Sequence, residues 1–357
     1  MVIFFFGGEA GRGGETSRGG EASRGGETSR GGETSRGGET SRGGETSRGG
    51  EAREGGEAGA GDGARSSSIA PILVFTQKEQ YSATLTSTLY RGRTRFSGLV
   101  SFAEFPSTTW GIGPRTPDAA EEDYTPRSFV VDAGVQQELG AGWFLGPTLR
   151  FARRKLIDVE PEGALARREL PGAEDGAVFG LGATFTRDTR DVDTSPSKGD
   201  YGRFEALVFD AMLGSDHDFA EIVLDLRGYR SIAAETVLAL RGRAHTTTSR
   251  APFDLLPALG GESLLRGEYQ GRYRDRSLLS LQAELRVHLW KRFGGVVFAE
   301  TAQVADAIPD QQWRGFRGSA GLGLRVLLSR AERFHLRADL GFGEGTSGFY
   351  LGLGEAF

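Results

Sequence analysis

From Ser66 onward, apolar and polar residues alternate with a period of two, the spacing that sends successive side chains to opposite faces of a sheet. The clearest run is Ser277 to Trp290. Leu279, Leu281, Ala283, Leu285, Val287 and Leu289 share one face, and Ser280, Gln282, Glu284, Arg286 and His288 share the other. Phe334, Leu336, Ala338, Leu340 and Phe342 likewise oppose His335, Arg337 and Asp339. Ala220, Ile222, Leu224 and Leu226 oppose Glu221, Asp225 and Arg227. A single such strand fits a soluble sandwich with its apolar face inward as well as a transmembrane barrel with that face in lipid. The density of opposite charges on the polar face, strand after strand, favours the barrel.

The alternation predicts about 14 strands, starting near Ile69, Gln80, Arg93, Arg127, Trp143, Ala177, Tyr201, Phe219, Thr236, Ser277, Gly294, Ser319, Arg333 and Ser347. Many approach the ~9–11 residues that cross a bilayer at a tilt. Leu213 to Asp218, Ser231 to Glu235 and Lys291 to Gly294 read as short turns. Thr109 to Pro126, Asp158 to Gly176 and Arg250 to Arg276 read as long loops, the asymmetry of a barrel with a periplasmic and an external end. The fold class is therefore an all-β, antiparallel transmembrane β-barrel.

Residues 1–65 are of another kind. Between Gly7 and about Ala60 a Gly-Gly-Glu-Thr/Ala-Ser-Arg hexad recurs about nine times, each unit with one acid, one base and no large apolar side chain. Nothing there offsets the entropy of ordering, so residues 1–65 are expected to be disordered and residues 66–357 to form the barrel domain. Met1 to Phe6 is too short an apolar run for a secretory signal. A start of the reading frame placed away from the native amino terminus is an alternative account of this segment.

Composition narrows the function classes. With no Cys, disulfides, Cys-based zinc sites and thiol catalysis are excluded, and the 357 residues carry a net charge of only -5 with no basic face for nucleic acid. No apolar run reaches the ~18 residues of a membrane helix. His217, His245, His288 and His335 are scattered without metal-ligand spacing. Gly345-Thr-Ser-Gly is a turn rather than a nucleophile elbow, no Gly-rich segment is followed by Lys-Ser/Thr, and Asp188 and Asp191 read as turn and lumen residues. Neither catalysis nor a cofactor is expected.

Several ordered motifs resemble the bacterial surface antigen family, the BamA/TamA-type outer-membrane assembly factors. Phe105-Pro106, Trp110-Gly111-Ile112-Gly113 and Tyr124 are similar to its early loop. Arg187-Asp188-Thr189-Arg190-Asp191 with Pro196, Lys198, Gly199 and Tyr201 is similar to its Asp-x-Arg hairpin. Leu259 to Asp275 resembles its long external loop, with Leu265, Arg266, Gly267 and Tyr269 at the tip motif. The resemblance implies that this loop folds back into the barrel, where Arg266 meets wall acids at Glu284 and Glu300. A guanidinium in a crowded lumen needs a carboxylate, and a bidentate pair also fixes the loop. Glu300 replaces the family's usual Asp, and Glu268 stands where an aromatic is usual. Gly321 to Arg325 and Leu336 to Asp339 read as ordinary wall. The chain closes on Phe349, Leu351, Leu353 and Phe357, which resembles a carboxyl-terminal sorting signal with its last aromatic on the lipid face, interrupted by Glu355.

The resemblance implies five strands after the arginine loop, matched here, and eleven before it, against about nine here, so the first hairpin is expected to be missing. The periplasmic substrate-capture domains usual in the family are also missing from the sequence given. The function implied is assembly or translocation in the outer membrane of a Gram-negative bacterium, with the bilayer, nascent outer-membrane proteins and assembly lipoproteins as partners. A passive channel or structural barrel, or a fragment of an assembly factor, is the alternative.

Overall fold

The computed structural model describes residues 67–75, 80–248, 250–330 and 332–357; the hexad repeat lies outside them. The wall has fourteen strands. The first seven are β1 (Ser68–Phe75), β2 (Tyr81–Arg91), β3 (Thr94–Glu104), β4 (Glu122–Gly140), β5 (Trp143–Val159), β6 (Gly176–Asp188) and β7 (Gly199–Phe209). The rest are β8 (Phe219–Ala233), β9 (Thr236–Thr247), β10 (Ser277–Trp290), β11 (Phe293–Ala305), β12 (Arg317–Ser329), β13 (Phe334–Phe342) and β14 (Ser347–Leu353). Each pairs antiparallel with its sequence neighbours, from β1 at one edge to β14 at the other, and no ladder joins those edges among the described residues. Nine strands precede the long loop after Thr247 and five follow it.

The two faces are sorted in the opposite sense to a soluble sandwich. The outward level Leu145, Phe185, Phe204, Leu224 runs across four strands in direct register. Phe204, Leu240, Leu281, Val297 and Leu322 are exposed, Leu281 at 60%. The opposite level Arg241, Gln282, Glu300, Ser319 is buried throughout. Soluble monomers rarely expose contiguous apolar patches of more than a few hundred Å², and here the apolar side is the solvent-accessible side of the sheet. No helix among the described residues is long and apolar enough to cross a membrane; the strands carry the apolar surface.

The sheet is curled, because one segment touches strands far apart in the ladder order. Within the loop after β9, Asp254 pairs with Arg154 on β5, Arg266 with Glu300 on β11, and Glu262 with Arg337 on β13. The loop fills the concave side near the long-loop end and packs in three apolar clusters there. Leu259, Leu264, Leu265 and Tyr273 lie on Leu278, Ala302 and Val304. Ala251 and Leu256 lie on Val178, Leu207, Phe209 and Phe219. Phe253 lies on Tyr124, Leu165 and Ala173. Strand parity corrects one loop assignment: Leu213 to Asp218 connects β7 to β8 and so lies at the long-loop end, not with the tight turns. β4 also begins at Glu122 rather than Arg127, because Glu122–Tyr124 pairs with the short strand Ser107–Thr109.

Candidate functional site

The loop after β9 comes down onto the inner wall at one point. Leu265 takes a positive φ of 60° and Gly267 one of 108°, so the chain makes a sharp tip with Arg266 at its apex. A Cβ on Gly267 would stand 2.6 Å from the backbone N of Gly343, and one on Gly341 would stand 2.6 Å from the carbonyl carbon of Arg266. Two glycines therefore let loop and wall backbones touch, and Gly267 also supplies the left-handed geometry at no steric cost. The Gly267 N–H donates to the Tyr350 hydroxyl of β14 at 2.9 Å, and the Glu344 N–H donates to Glu268 Oε1 at 3.0 Å. Glu268, which replaces an expected aromatic, is thus an acceptor that ties the tip to the β13–β14 turn.

Arg266 has no exposed side-chain surface. Its Nε donates to Glu300 Oε1 at 2.8 Å, Nη2 to Glu284 Oε1 at 2.7 Å and Nη1 to Asp339 Oδ2 at 2.8 Å. The backbone N–H donates to Glu300 Oε2 at 2.6 Å, and the guanidinium lies over the Phe298 ring, 3.5 Å from its centroid. Burial opposes the charge, but the three carboxylates outweigh it and hold the guanidinium above its usual range. The acids are shared outward in turn: Glu284 with Arg286 at 2.8 Å, and Asp339 with Arg325, which reaches Glu355 at 2.7 Å. Buried ions at this density persist only when each is paired and hydrogen-bonded.

Glu284 and Glu300, expected as partners, are both brought to Arg266. Asp339 was read as ordinary wall and is the third partner. Its signal lay in the register, since it faces Gly323, whose missing side chain leaves room for the carboxylate: a Cβ there would meet Asp339 Oδ1 at 2.0 Å. Leu265 is buried in the loop cluster. Tyr269 is half exposed and packs edge-on against Trp110 at 5.3 Å, and the Arg272 guanidinium lies over the Trp110 ring, 4.9 Å from its centroid. The Gly113 N–H donates to the Arg274 carbonyl at 2.8 Å, so the early-loop motif and the arginine loop form one packed unit.

The Asp-x-Arg hairpin sits at the other end of the wall. Arg190 makes paired hydrogen bonds to Asp188 at 2.9 and 2.7 Å and lies 4.6 Å over the Tyr201 ring. Asp191 accepts from the Ser197 hydroxyl at 2.6 Å and from Arg333, in the β12–β13 turn, at 2.7 Å. Partial burial works against the Asp191 carboxylate, but the Ser197 and Arg333 hydrogen bonds hold its pKa down at about 2. Among the described residues no three His, Asp or Glu converge as a metal set.

The carboxyl terminus corrects the sequence expectation. Phe349, Leu351 and Leu353 face outward, each only partly buried, but the strand stops there. Gly354 turns at a φ of 79°, Glu355 is drawn in to Arg325, and Phe357 is buried against Tyr229 and Ala239. The rings of Tyr229 and Phe357 lie beneath the Arg286 guanidinium at 5.7 and 5.4 Å. Phe357 is therefore an inner-face residue, because the buried guanidinium groups pull Glu355 across to the charged side.

No curated protein matches the chain by sequence. Among solved structures, BamA from Haemophilus ducreyi lacking POTRA domains 1–3 is similar, with a TM-score of 0.55 and 15% identity over 77% of this chain and 62% of that one. CdiB from Escherichia coli matches at a TM-score of 0.50 and 13% identity, over 76% of this chain and 52% of that one. The chain thus spans about three-fifths of the BamA structure and half of the CdiB structure, and the likeness is one of fold. Residues 67–357 match the Omp85 superfamily domain, which takes in the whole wall, the arginine loop and its acids, and the chain belongs to the Omp85 superfamily.

Proposed function

We propose that the chain is an outer-membrane barrel of the assembly or translocation kind, one that inserts barrel proteins into, or moves proteins across, the outer membrane of a Gram-negative bacterium. In this proposal residues 66–357 are the membrane domain, residues 1–65 are a coreless spacer, and Phe349, Leu351 and Leu353 contribute to sorting. The bilayer is the first partner, and nascent outer-membrane proteins and assembly lipoproteins are the others. The observation that carries it is the Arg266 centre. A passive pore conducts best with an open lumen, whereas here a long loop lies inside the curled wall and is pinned by one arginine to acids on three strands. In this proposal the seam between β1 and β14, which no ladder joins among the described residues, is where a client strand pairs.

The test uses the full chain in liposomes presented with a urea-unfolded small barrel. The protein is expected to accelerate client folding over empty liposomes and to show little steady conductance in planar bilayers. Arg266→Ala should lose the acceleration and raise the conductance while keeping a heat-modifiable band on a gel. Large conductance of the unaltered protein without any acceleration would establish a passive channel instead.

A further inference from the structure

Just beyond its apolar band at the long-loop end, the outer wall carries a group of basic residues. On β5 the outward residues run from Trp143 through Leu145, Leu149 and Phe151 to Arg153 and Lys155. Trp143 and Arg153 are ten residues apart; at about 3.3 Å per residue and a tilt of ~40°, Arg153 stands about 25 Å above the Trp143 level, the height of an outer-membrane apolar band. Arg153 is therefore at headgroup level at the long-loop end. The register places Lys155 directly opposite Arg127 on β4, and Arg153 opposite Phe129, which faces Phe102 on β3. Residues in direct register have Cβ atoms only about 4.5–5.5 Å apart, so three basic side chains meet over one aromatic row.

These cations differ in their engagement. Arg127 is paired with Glu104 at 2.8 Å, and Glu104 also accepts from the Tyr81 hydroxyl at 2.6 Å. Arg153 and Lys155 are exposed and, among the described residues, make no hydrogen bond or ion pair through their side chains. They line a hollow of about 470 Å³ together with Phe102, Phe129 and Phe151. Asp175 and Asp216 also border it, but each accepts a backbone N–H, from Leu156 at 2.9 Å and Ala177 at 2.7 Å.

We propose that this hollow binds the phosphate groups of a phosphorylated glycolipid in the leaflet at the long-loop end. Arg153 and Lys155 take the phosphates, Arg127 completes the cationic rim, and the aromatic row receives the first methylenes of the acyl chains. Charge complementarity at headgroup height supports a lipid phosphate in this hollow, and the proposal rests on the membrane reading of the wall given above. The full chain in neutral detergent micelles is titrated with bis-phosphorylated lipid A and with its dephosphorylated counterpart, and bound lipid is counted by native mass spectrometry. The phosphorylated lipid should bind preferentially, and Arg153→Gln with Lys155→Gln should weaken it about thirty-fold, whereas Arg153→Lys should retain it. Equal binding of the two lipids, or of the parent and the double variant, would overturn the site. Saturation by inorganic phosphate alone would also overturn it, by making it a free-anion site. A heat-modifiability gel on the same samples separates these failures from a failure of the wall to fold as a barrel, which would remove the site with it.

Discussion

Replacing Arg266 by Ala removes the one cation shared by Glu284, Glu300 and Asp339 at the loop tip. Arg286 and Arg325 still pair with Glu284 and Asp339, but Glu300 keeps only the Gln282 amide at 3.1 Å, the Ser319 hydroxyl and, through the backbone, residue 266 itself. Breaking a buried ion pair by deleting one partner costs about 3–5 kcal/mol. Leu259, Leu264, Leu265 and Tyr273 remain as apolar anchors, so the barrel should still fold, but the docked loop should open far more often. At tenfold per ~1.4 kcal/mol, the open population should rise by roughly two to three and a half orders of magnitude. Arg272 and Arg274 report on it, since both are buried when the loop is docked, at 8% and 6% exposure. Trypsin cleavage after them should be slow in the parent protein and should track the open population in Arg266→Ala, provided reclosing outpaces cleavage. Arg266→Lys keeps the charge but not the forked geometry, and should fall between the two. Cleavage of Arg266→Ala within threefold of the parent rate would refute the pinning role.

Gly341→Val puts a side chain where the Arg266 carbonyl carbon lies 2.6 Å away, and should expose the loop to trypsin as Arg266→Ala does, without altering any charge. Phe357→Ala should cost about 3–5 kcal/mol as a cavity on the inner face, read as a lower temperature for loss of the heat-modifiable form. Asp191 has its folded pKa held at about 2, below the ordinary carboxylate value, so its contribution is complete at neutral pH and is lost as pH falls from about 4 through 2. The temperature for loss of the heat-modifiable form should therefore fall across that window, and Asp191→Asn should lower it at pH 7 and reduce the acid dependence.

The wall was legible because lipid on one side and charge on the other impose a strict period of two, and all fourteen strand starts fall within a few residues of those observed except β4. There, Glu122 to Pro126 is polar and carries a proline, so its pairing with Ser107–Thr109 leaves no periodic trace. The inner face at the long-loop end broke the pattern for a different reason. Phe209, Phe219, Leu278 and Val304 are apolar on the side that is charged elsewhere, because the loop packs on them. Arg266, Glu284 and Glu300 could be paired from the motif resemblance, whereas Asp339 depends on register with Gly323, a relation between strands that one strand's pattern does not contain. Phe357 follows outward parity in the sequence and fails it in space, since Gly354 breaks the strand and Glu355 goes to Arg325.

The orientation of the wall can be measured directly because the chain has no native cysteine to remove. Single cysteines at each position from Leu279 to Val287, spin-labelled in liposomes, would report collision with oxygen dissolved in the bilayer. The structure predicts maxima at 279, 281, 283, 285 and 287 and minima at 280, 282, 284 and 286, the last three lying beside the Arg266 centre. Maxima at the even positions, or a profile without alternation, would contradict a wall whose apolar face meets lipid and whose charged face holds the loop.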